Sequence, residues 1–276
     1  APGTHAIVDI DDCLIQHAAN NRVARTVRAV LGDLGISPYD ERSGSGVVRH
    51  VLGRVGTASG EVMAVIVTAT ADLPHKEEVV ARLRRNVPGL VSVVHNYNPL
   101  RTNVVLGRRT TTIWGRDAVV DRLGDFLFRI SARSFFQVNT AQAAILYEQA
   151  ERYAGLTGVE TVVDAYCGTG TITLFLARRA AKVYGIEVVA DAVRDAHANA
   201  AANGISNVQF IVGDAIEVLP RLRTEGVRPH AIVVDPPRAG CAPAVLETFA
   251  RMRPARIVYV SCNPATLARD LALFQQ

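Results

Sequence analysis

Residues 161–173 read TVVDAYCGTGTIT, and this stretch decides the fold class. A short apolar run ends in Asp164, and a turn containing Gly168 and Gly170 then leads into a helical segment. Glycines in such a turn let the backbone come close to a ligand at the amino-terminal end of a helix. The stretch therefore predicts a strand, a ligand-binding turn and a helix, in that order.

The same pattern recurs toward the C-terminus. Four further apolar runs, each followed by a helical segment, read VYGIE, VQFIV, HAIVVD and RIVYVS. Short strands that alternate with helices in this way are typical of a parallel, doubly wound sheet. We therefore predict an α/β domain over residues 134–276.

A smaller α+β domain is predicted over residues 1–133. The patterns there indicate helices over residues 14–31 and 74–85, and strands over residues 47–55, 61–70, 90–95 and 126–131. The sequence GTASG between the first two strands is typical of a hairpin loop. We place the domain boundary close to Ser134, where the alternating pattern begins.

Composition excludes several classes of protein. Of the 276 residues, 49% are hydrophobic and 20% are charged, as in an ordinary globular protein. No apolar run approaches the roughly 20 residues that span a bilayer, so no membrane association is expected. The first residues lack the features of a signal peptide. The four cysteines are scattered without a C-x-x-C pair, so we expect a reducing, cytoplasmic location and no disulfide framework.

The net charge of +4 is carried almost entirely by arginine, since Lys76 and Lys182 are the only lysines. Guanidinium groups suit bidentate contacts with phosphate, as in nucleic-acid binding. A surplus this small is equally well explained by a solvated face.

Two further acidic residues follow strands beside the glycine turn. Glu187 ends the second strand, where a carboxylate can accept hydrogen bonds from ribose hydroxyls, and Asp214 follows the third, where it can accept from an adenine amino group. With Asp164, they suit an adenosine ligand with a cationic sulfonium tail. A single acidic residue at the end of a strand is more often a helix cap than a ligand-binding residue. A dinucleotide site is disfavoured because Thr173 replaces the third glycine of G-x-G-x-x-G.

The fourth strand ends in VVDPPRAG, which places Asp235 before two prolines. Because proline cannot continue a central strand, the chain leaves the sheet there, at the edge where open α/β sheets bind ligands. A plain loop explains a Pro-Pro pair in general, but less well when the pair follows an apolar strand that ends in Asp.

The fifth strand runs into SCNPATLARDL, with Cys262 at the start of a predicted helix. Asn263 can cap that helix and Pro264 can occupy its first position. Backbone dipoles at a helix start favour the thiolate, which is a nucleophile. Most cysteines are small buried hydrophobic residues, and we assign that role to Cys167 and Cys241 but not to Cys262.

Together, DAYCGTGTITL, GIE, VVDPPR, SCNPATLARDL and the upstream SFFQVN resemble the S-adenosylmethionine-dependent RNA (uracil-C5)-methyltransferases of the TrmA/RumA type. That family makes 5-methyluridine in tRNA or 23S rRNA. The resemblance covers nearly the whole chain, since CLIQH, RTNVVLG and WG are similar to the family's central domain.

The resemblance implies a class I methyltransferase fold, the cofactor S-adenosylmethionine and an RNA substrate, with 23S rRNA favoured over tRNA. Residues 1–133 would be the central domain that binds RNA, and no obligate protein partner is implied. Cys262 would be the catalytic nucleophile, and Phe135 would pack near the target base. The expected cofactor-binding residues are Gln137, Tyr166, Gly168, Gly170, Glu187, Asp214 and Asp235.

The sequence departs from the family pattern in two places. Members carry a general-base glutamate and two more strands beyond the cysteine motif, so we expect this chain to be part of a longer protein and assign the base to none of its residues. Cys13 in DDCLIQH matches the fourth ligand of an iron–sulfur cluster found in many members. It is either such a ligand, in a longer chain, or a structural residue.

Two other functions stay open on the sequence. One is a cofactor- and RNA-binding module that does not turn over, which the unassigned base makes credible. The other is a methyltransferase acting on another base or on a small molecule, which would have no use for Cys262 followed by Asn-Pro.

Overall fold

The computed structural model describes residues 9–275. The chain divides into two compact units, Ala1–Asp121 and Arg122–Gln276. Within the described residues, no helix combines the length and the apolar character needed to cross a membrane.

The described part of the first unit contains a mixed sheet with strand order β1-β2-β3-β4. Strands β1 and β2 form the predicted antiparallel hairpin, β2 and β3 are parallel, and β3 and β4 are antiparallel. The elements are α1 (Ala18–Asp33), β1 (Val48–Val55), β2 (Val62–Thr68), α2 (Lys76–Asn86), β3 (Leu90–Tyr97) and β4 (Arg109–Gly115).

The core of this unit lies between the two helices and the sheet. Helix α1 contributes Val23, Val27 and Val30, whose spacing places them on one face of the helix. Every residue of β2 is buried, which agrees with its position inside the sheet. The sequence did not predict β4, because RTTTIWG is polar and the strand lies exposed at the sheet edge.

The boundary between the units falls within β5 (Ala118–Leu123), ahead of the predicted one, and β6 (Phe126–Ser131) lies wholly in the second unit. Strand β6 lies against helix α5 (Ala190–Ala202) of the second unit. The Arg129 amide donates to Asn199 Oδ1 at 2.7 Å, and Asn199 belongs to that helix. Residues 122–133 therefore belong structurally to the second unit.

The second unit is built on the predicted parallel sheet. Its described strands lie in the order β11-β10-β7-β8-β9, and each neighbouring pair is parallel. The remaining elements are α3 (Thr140–Ala154), β7 (Thr161–Ala165), α4 (Thr171–Ala177), β8 (Lys182–Glu187), β9 (Val208–Val212), α6 (Ala215–Thr224), β10 (Ala231–Val234), α7 (Pro243–Met252), β11 (Arg256–Tyr259), α8 (Pro264–Ala272) and a 3₁₀ turn, Leu273–Gln275.

Helices cover both faces of this sheet, as the doubly wound prediction requires. Val163 and Ala165 of β7 point to one face, where they pack in a cluster with residues of α6 and α7. Asp164 lies between them in sequence and so points to the other face, where Thr173 of α4 donates to it at 2.5 Å. The carboxyl ends of the parallel strands share one edge, which is where the candidate site lies.

Candidate active site

The turn after β7 brings the backbone into an unusual conformation. Tyr166, Gly168 and Gly170 all have positive φ angles, of 69°, 55° and 82°. A side chain on Gly170 would meet the Phe210 ring at 3.0 Å, so this glycine is required for packing. Apart from its neighbours in the chain, no described atom lies within 4 Å of a Cβ built on Gly168, which leaves its backbone open to a ligand.

Glu187 lies at the end of β8, directly beside this turn. Its Oε2 accepts a 3.1 Å hydrogen bond from the Gly168 amide, and its Oε1 accepts one of 2.8 Å from the Val189 amide. The side chain is half-buried, and each carboxylate oxygen has a further lone pair. Glu187 can therefore accept hydrogen bonds from a diol while its own position is fixed by the backbone.

Two buried polar atoms next to the turn lack a hydrogen-bond partner among the described residues. They are Asp164 Oδ1 and Thr169 Oγ1, whose residues are 0% and 1% exposed. Burial raises the pKa of Asp164 to about 7, and the charges of Asp235 and Glu187 act in the same direction. Unsatisfied polar atoms are costly, and a polar or cationic ligand at this edge would relieve that cost.

A cavity of about 70 Å³ joins the turn to the SFFQVN segment. Its lining includes several residues predicted from the sequence, namely Phe135, Gln137, Tyr166, Gly168 and Asp235. Phe135 is 72% exposed, so its ring is available to a partner. The structure thus brings together residues separated by a hundred positions in the sequence.

Asp235 follows β10 and is half-buried beside this cavity. Burial raises its pKa to about 6. The next residue, Pro236, is buried, and the chain leaves the sheet at this point, as predicted.

Asp214 has a different setting from the other predicted residues. It caps helix α6, with Oδ1 accepting from the Ile216 amide at 2.9 Å, and its side chain is exposed. Asp214 therefore has the helix-capping role that its sequence position allowed, and its side chain is exposed to solvent.

Cys262 lies at the same sheet edge. The Val260 amide donates to Val234 O at 2.8 Å, which extends the parallel register of β10 and β11 to the residue before Asp235. Two residues later, Cys262 is exposed. Asn263 caps α8 by accepting from the Ala265 amide at 3.1 Å, as the sequence predicts. The thiol is thus accessible at the start of a helix.

The other cysteines have different surroundings. Cys167 and Cys241 are buried, as predicted, and burial raises the pKa of each thiol. Cys13 is half-buried, and its backbone carbonyl accepts from Asn21 Nδ2 at 3.1 Å. The described residues contain no group of three His, Cys, Asp or Glu side chains that could hold a metal ion. A cluster-ligand role for Cys13 stays a prediction for a longer chain.

The sequence did not identify Tyr147 of α3 as part of this site. Its side chain is 2% exposed and lines the cavity together with Gln137 and Thr171. Burial raises its pKa to about 12, so it remains protonated. In a sequence, an aromatic site residue on an amphipathic helix looks the same as an aromatic residue of the hydrophobic core. No sequence pattern would therefore have identified Tyr147 as a site residue.

Solved structures resemble the whole fold. The crystal structure of a tRNA (uracil-54, C5)-methyltransferase of Pyrococcus abyssi, in complex with S-adenosyl-L-homocysteine, matches with a TM-score of 0.79 and 29% identity over 97% of this chain and 64% of that chain. A putative S-adenosylmethionine-dependent methyltransferase of Streptococcus mutans matches in fold alone, with a TM-score of 0.51 and 11% identity over 91% of this chain and 72% of that one. The fold is that of the class I methyltransferases.

Sequence comparisons identify the family. The model of the tRNA (uracil-5-)-methyltransferases matches residues 103–276. A protein of Halalkalibacterium halodurans, described as an uncharacterized RNA methyltransferase, is 52% identical over 272 residues, 99% of this chain and 59% of that protein. One of Clostridium tetani with the same description is 45% identical over 276 residues, 100% of this chain and 60% of that protein. The chain belongs to the tRNA (uracil-5-)-methyltransferase family, and it spans 59–60% of the length of these two relatives.

Proposed function

We propose that the chain is the cofactor-binding and catalytic part of an RNA (uracil-C5)-methyltransferase. One observation carries this proposal: Cys262 is exposed at the carboxyl edge of the sheet, where Asp235 follows the neighbouring strand β10. Family membership and the resemblance to the Pyrococcus abyssi enzyme support it.

The cofactor in this proposal is S-adenosylmethionine, which supplies an electrophilic methyl group on a sulfonium centre. The open backbone at Gly168, the fixed carboxylate of Glu187 and the unsatisfied atoms beside the turn fit such a ligand. Glu187 would accept from the ribose hydroxyls, and Asp214 from the adenine amino group. Gln137, Tyr166 and Asp235 would contact the remainder, and Gly170 would shape the turn.

Cys262 has a specific chemical role here. C5 of uracil is a poor nucleophile, so the Cys262 thiolate adds to C6 and forms an S–C6 bond. The displaced electron pair makes an enolate, and C5 then attacks the methyl group, which leaves its sulfur as a neutral thioether. The target uracil must leave its stack to reach the thiol, and the exposed ring of Phe135 can pack against it.

The reaction ends when a base removes the C5 proton, which restores the C5–C6 double bond and expels the thiolate. The family resemblance assigns this base to a glutamate beyond the cysteine motif, and we propose none within this sequence. Rapid multiple turnover by this chain would instead assign the base to Asp235, whose pKa burial raises to about 6.

The substrate is RNA in this proposal, and residues 1–133 contribute to its selection. The family resemblance favours 23S rRNA, whereas the Pyrococcus abyssi relative is described as a tRNA (uracil-54, C5)-methyltransferase. Mapping 5-methyluridine in the rRNA and tRNA of a deletion strain distinguishes the two. Loss of a site in 23S rRNA supports the sequence prediction, and loss of a tRNA site overturns it. Either substrate agrees with the predicted cytoplasmic location.

Mass spectrometry of the protein mixed with 5-fluorouridine-containing RNA and S-adenosylmethionine tests the proposed reaction. Because fluorine at C5 blocks proton removal, a competent thiolate gives a stable covalent adduct that already carries the methyl group. A module without catalytic chemistry gives no adduct, and neither does an enzyme that methylates another base or a small molecule. A folded protein that binds cofactor and RNA without forming the adduct would overturn the proposal.

A further inference from the structure

Helix α8 begins two residues after Cys262 and is hydrogen-bonded along one face to the loop that follows β10. Asn263 Nδ2 and Thr266 Oγ1 donate to the carbonyl oxygen of Arg238, at 3.4 and 3.2 Å. Further along the helix, Arg269 Nη2 donates to the Ala239 carbonyl at 2.7 Å. Residues at this three-residue spacing share one helix face, so these bonds fix the position of the helix relative to the loop.

Asp270, the next residue of α8, makes the most extensive set of these contacts. Its side chain is 1% exposed. Oδ2 accepts from the Cys241 amide at 2.8 Å and from the Tyr259 hydroxyl at 2.6 Å. Oδ1 accepts from Arg269 Nε at 2.9 Å and from Nη2 at 2.7 Å. Each carboxylate oxygen is thus bound by two donors, and one carboxylate connects three segments of the chain.

Two of these segments flank the candidate nucleophile in the chain, and the third follows Asp235. Tyr259 ends β11, three residues before Cys262, and Asp270 lies eight residues after it. The third segment, residues 238–241, follows Asp235. Gly240 lets this loop come close, since its φ is 80° and a Cβ there would lie 2.5 Å from Asp270 Oδ2. Any side chain at position 240 would clash with this carboxylate, so the close approach of the loop requires Gly240.

We propose that Asp270 is a positioning residue that fixes Cys262 relative to Asp235 and the cofactor-binding edge. The inference rests on the proposed function, because it concerns the alignment of the same thiol. Asp270 is buried and bound by four donors, so it acts on the reaction through the segments it holds. Addition to a base requires close alignment of the reacting atoms, and a displacement of about 1 Å can lower a rate by roughly 100-fold.

Asp270→Asn is the most direct variant because it preserves shape and removes one acceptor. Its amide group would face either Arg269 or the Cys241 amide, and donor would meet donor in both orientations. With saturating 5-fluorouridine RNA and S-adenosylmethionine, we expect the rate constant of adduct formation to fall about tenfold or more. Affinity for S-adenosylhomocysteine should stay within about twofold, since Asp270 lies outside the cofactor-binding residues.

Alkylation of Cys262 by iodoacetamide separates positioning from a general structural effect. The thiol is exposed, and a small reagent needs no alignment with the cofactor edge, so its alkylation rate should stay within about twofold of wild type. Peptide mapping restricts this readout to Cys262. If adduct formation, alkylation and cofactor affinity all fall together, the carboxylate only stabilises the fold, and the positioning role is wrong.

Tyr259→Phe keeps the test decisive if Asp270→Asn does not fold. It removes one hydrogen bond to Asp270 and no packing volume, so we expect a smaller fall in adduct rate, about threefold to tenfold. Glu247→Gln is the matched control, because it removes an exposed helical carboxylate paired with Arg251 and should leave the rate unchanged. Wild-type rates in Tyr259→Phe would overturn the positioning role alone, whereas failure of the wild type to form any adduct would overturn the proposed function.

Discussion

The amide of Gly168 donates a 3.1 Å hydrogen bond to Glu187 Oε2, which joins the turn after β7 to the end of β8. Gly168 follows β7 and Glu187 ends the neighbouring parallel strand β8. The bond holds the carboxylate beside an open stretch of backbone. A residue predicted to bind the cofactor therefore also fixes the turn that the cofactor would approach.

Replacing Glu187 with Ala should weaken binding of S-adenosylhomocysteine by about 1–3 kcal/mol, because ribose hydroxyls would lose a charged acceptor. Isothermal titration calorimetry measures the change. Glu217→Ala is the control, since Glu217 is exposed on α6 and should not affect binding. Unchanged affinity in Glu187→Ala would place the ribose elsewhere.

Gly168→Ala should mainly impair cofactor binding, whereas Gly170→Ala should mainly reduce stability. Gly170→Ala forces a methyl group against Phe210 at 3.0 Å and Ala196 at 3.2 Å, and should reduce the free energy of unfolding by about 2–4 kcal/mol. Apart from its chain neighbours, the new methyl group of Gly168→Ala meets no described atom within 4 Å. The variant should lose about 1 kcal/mol of the free energy of unfolding because of its positive φ. Its methyl group would instead obstruct the ligand.

Urea denaturation and calorimetric titration together check this pair. The expected pattern is a stable Gly168→Ala protein with impaired cofactor binding and a destabilised Gly170→Ala protein. Equal stability losses in the two variants, or full binding by Gly168→Ala, would show that the open space above Gly168 is not a ligand site.

Asp164 predicts a specific pH dependence. Burial raises its pKa from 3.8 to about 7 in the folded protein, so between these values the folded state holds a proton that the unfolded state has lost. The free energy of unfolding should therefore decrease as pH rises from about 4 to 7, by up to about 1.4 kcal/mol per pH unit from this group.

Asp164→Asn isolates this effect because Asn is neutral throughout and can still accept from Thr173. The stability of wild type relative to Asp164→Asn should decline across this pH range and level off outside it. Denaturant titrations at several pH values measure the difference, in which contributions from other groups largely cancel. Parallel pH profiles for the two proteins would mean that Asp164 titrates normally.

Tyr147→Phe tests a site residue that the structure revealed. Loss of the hydroxyl removes a polar group from the cavity that Gln137 and Thr171 also line, and should weaken S-adenosylhomocysteine binding by about 0.5–1.5 kcal/mol. Tyr153→Phe is a matched control on the same helix, since Tyr153 is 62% exposed. If both variants bind like wild type, Tyr147 serves packing alone.

The sequence predicted the architecture of the second unit well because its signals are local. A strand that ends in Asp235 followed by prolines, or a glycine at the start of α4, determines nearby backbone geometry almost alone. Asn263 capping α8 is a signal of the same kind. The alternation of such signals then fixes a parallel sheet and the edge at which its side chains meet.

Contacts between segments that lie far apart in the chain could not be predicted from the sequence. Asn199 accepts from the backbone of β6, seventy residues earlier, and this contact attaches β6 to helix α5 of the second unit. Tyr147 reads as an ordinary core residue, and Asp270 reads as an exposed helical acid although it is 1% exposed. Each of these roles arises from tertiary packing, which leaves no periodic pattern in the sequence.

The position of the covalent bond between protein and RNA decides whether Cys262 is the nucleophile. Wild-type protein is incubated with 5-fluorouridine RNA and S-adenosylmethionine, digested with protease and nuclease, and mapped by mass spectrometry. We expect a methylated nucleotide attached to the peptide that contains Cys262, retained in Cys13→Ser and absent in Cys262→Ser. An adduct on another cysteine, or one that persists in Cys262→Ser, would contradict the assignment of Cys262 as the nucleophile.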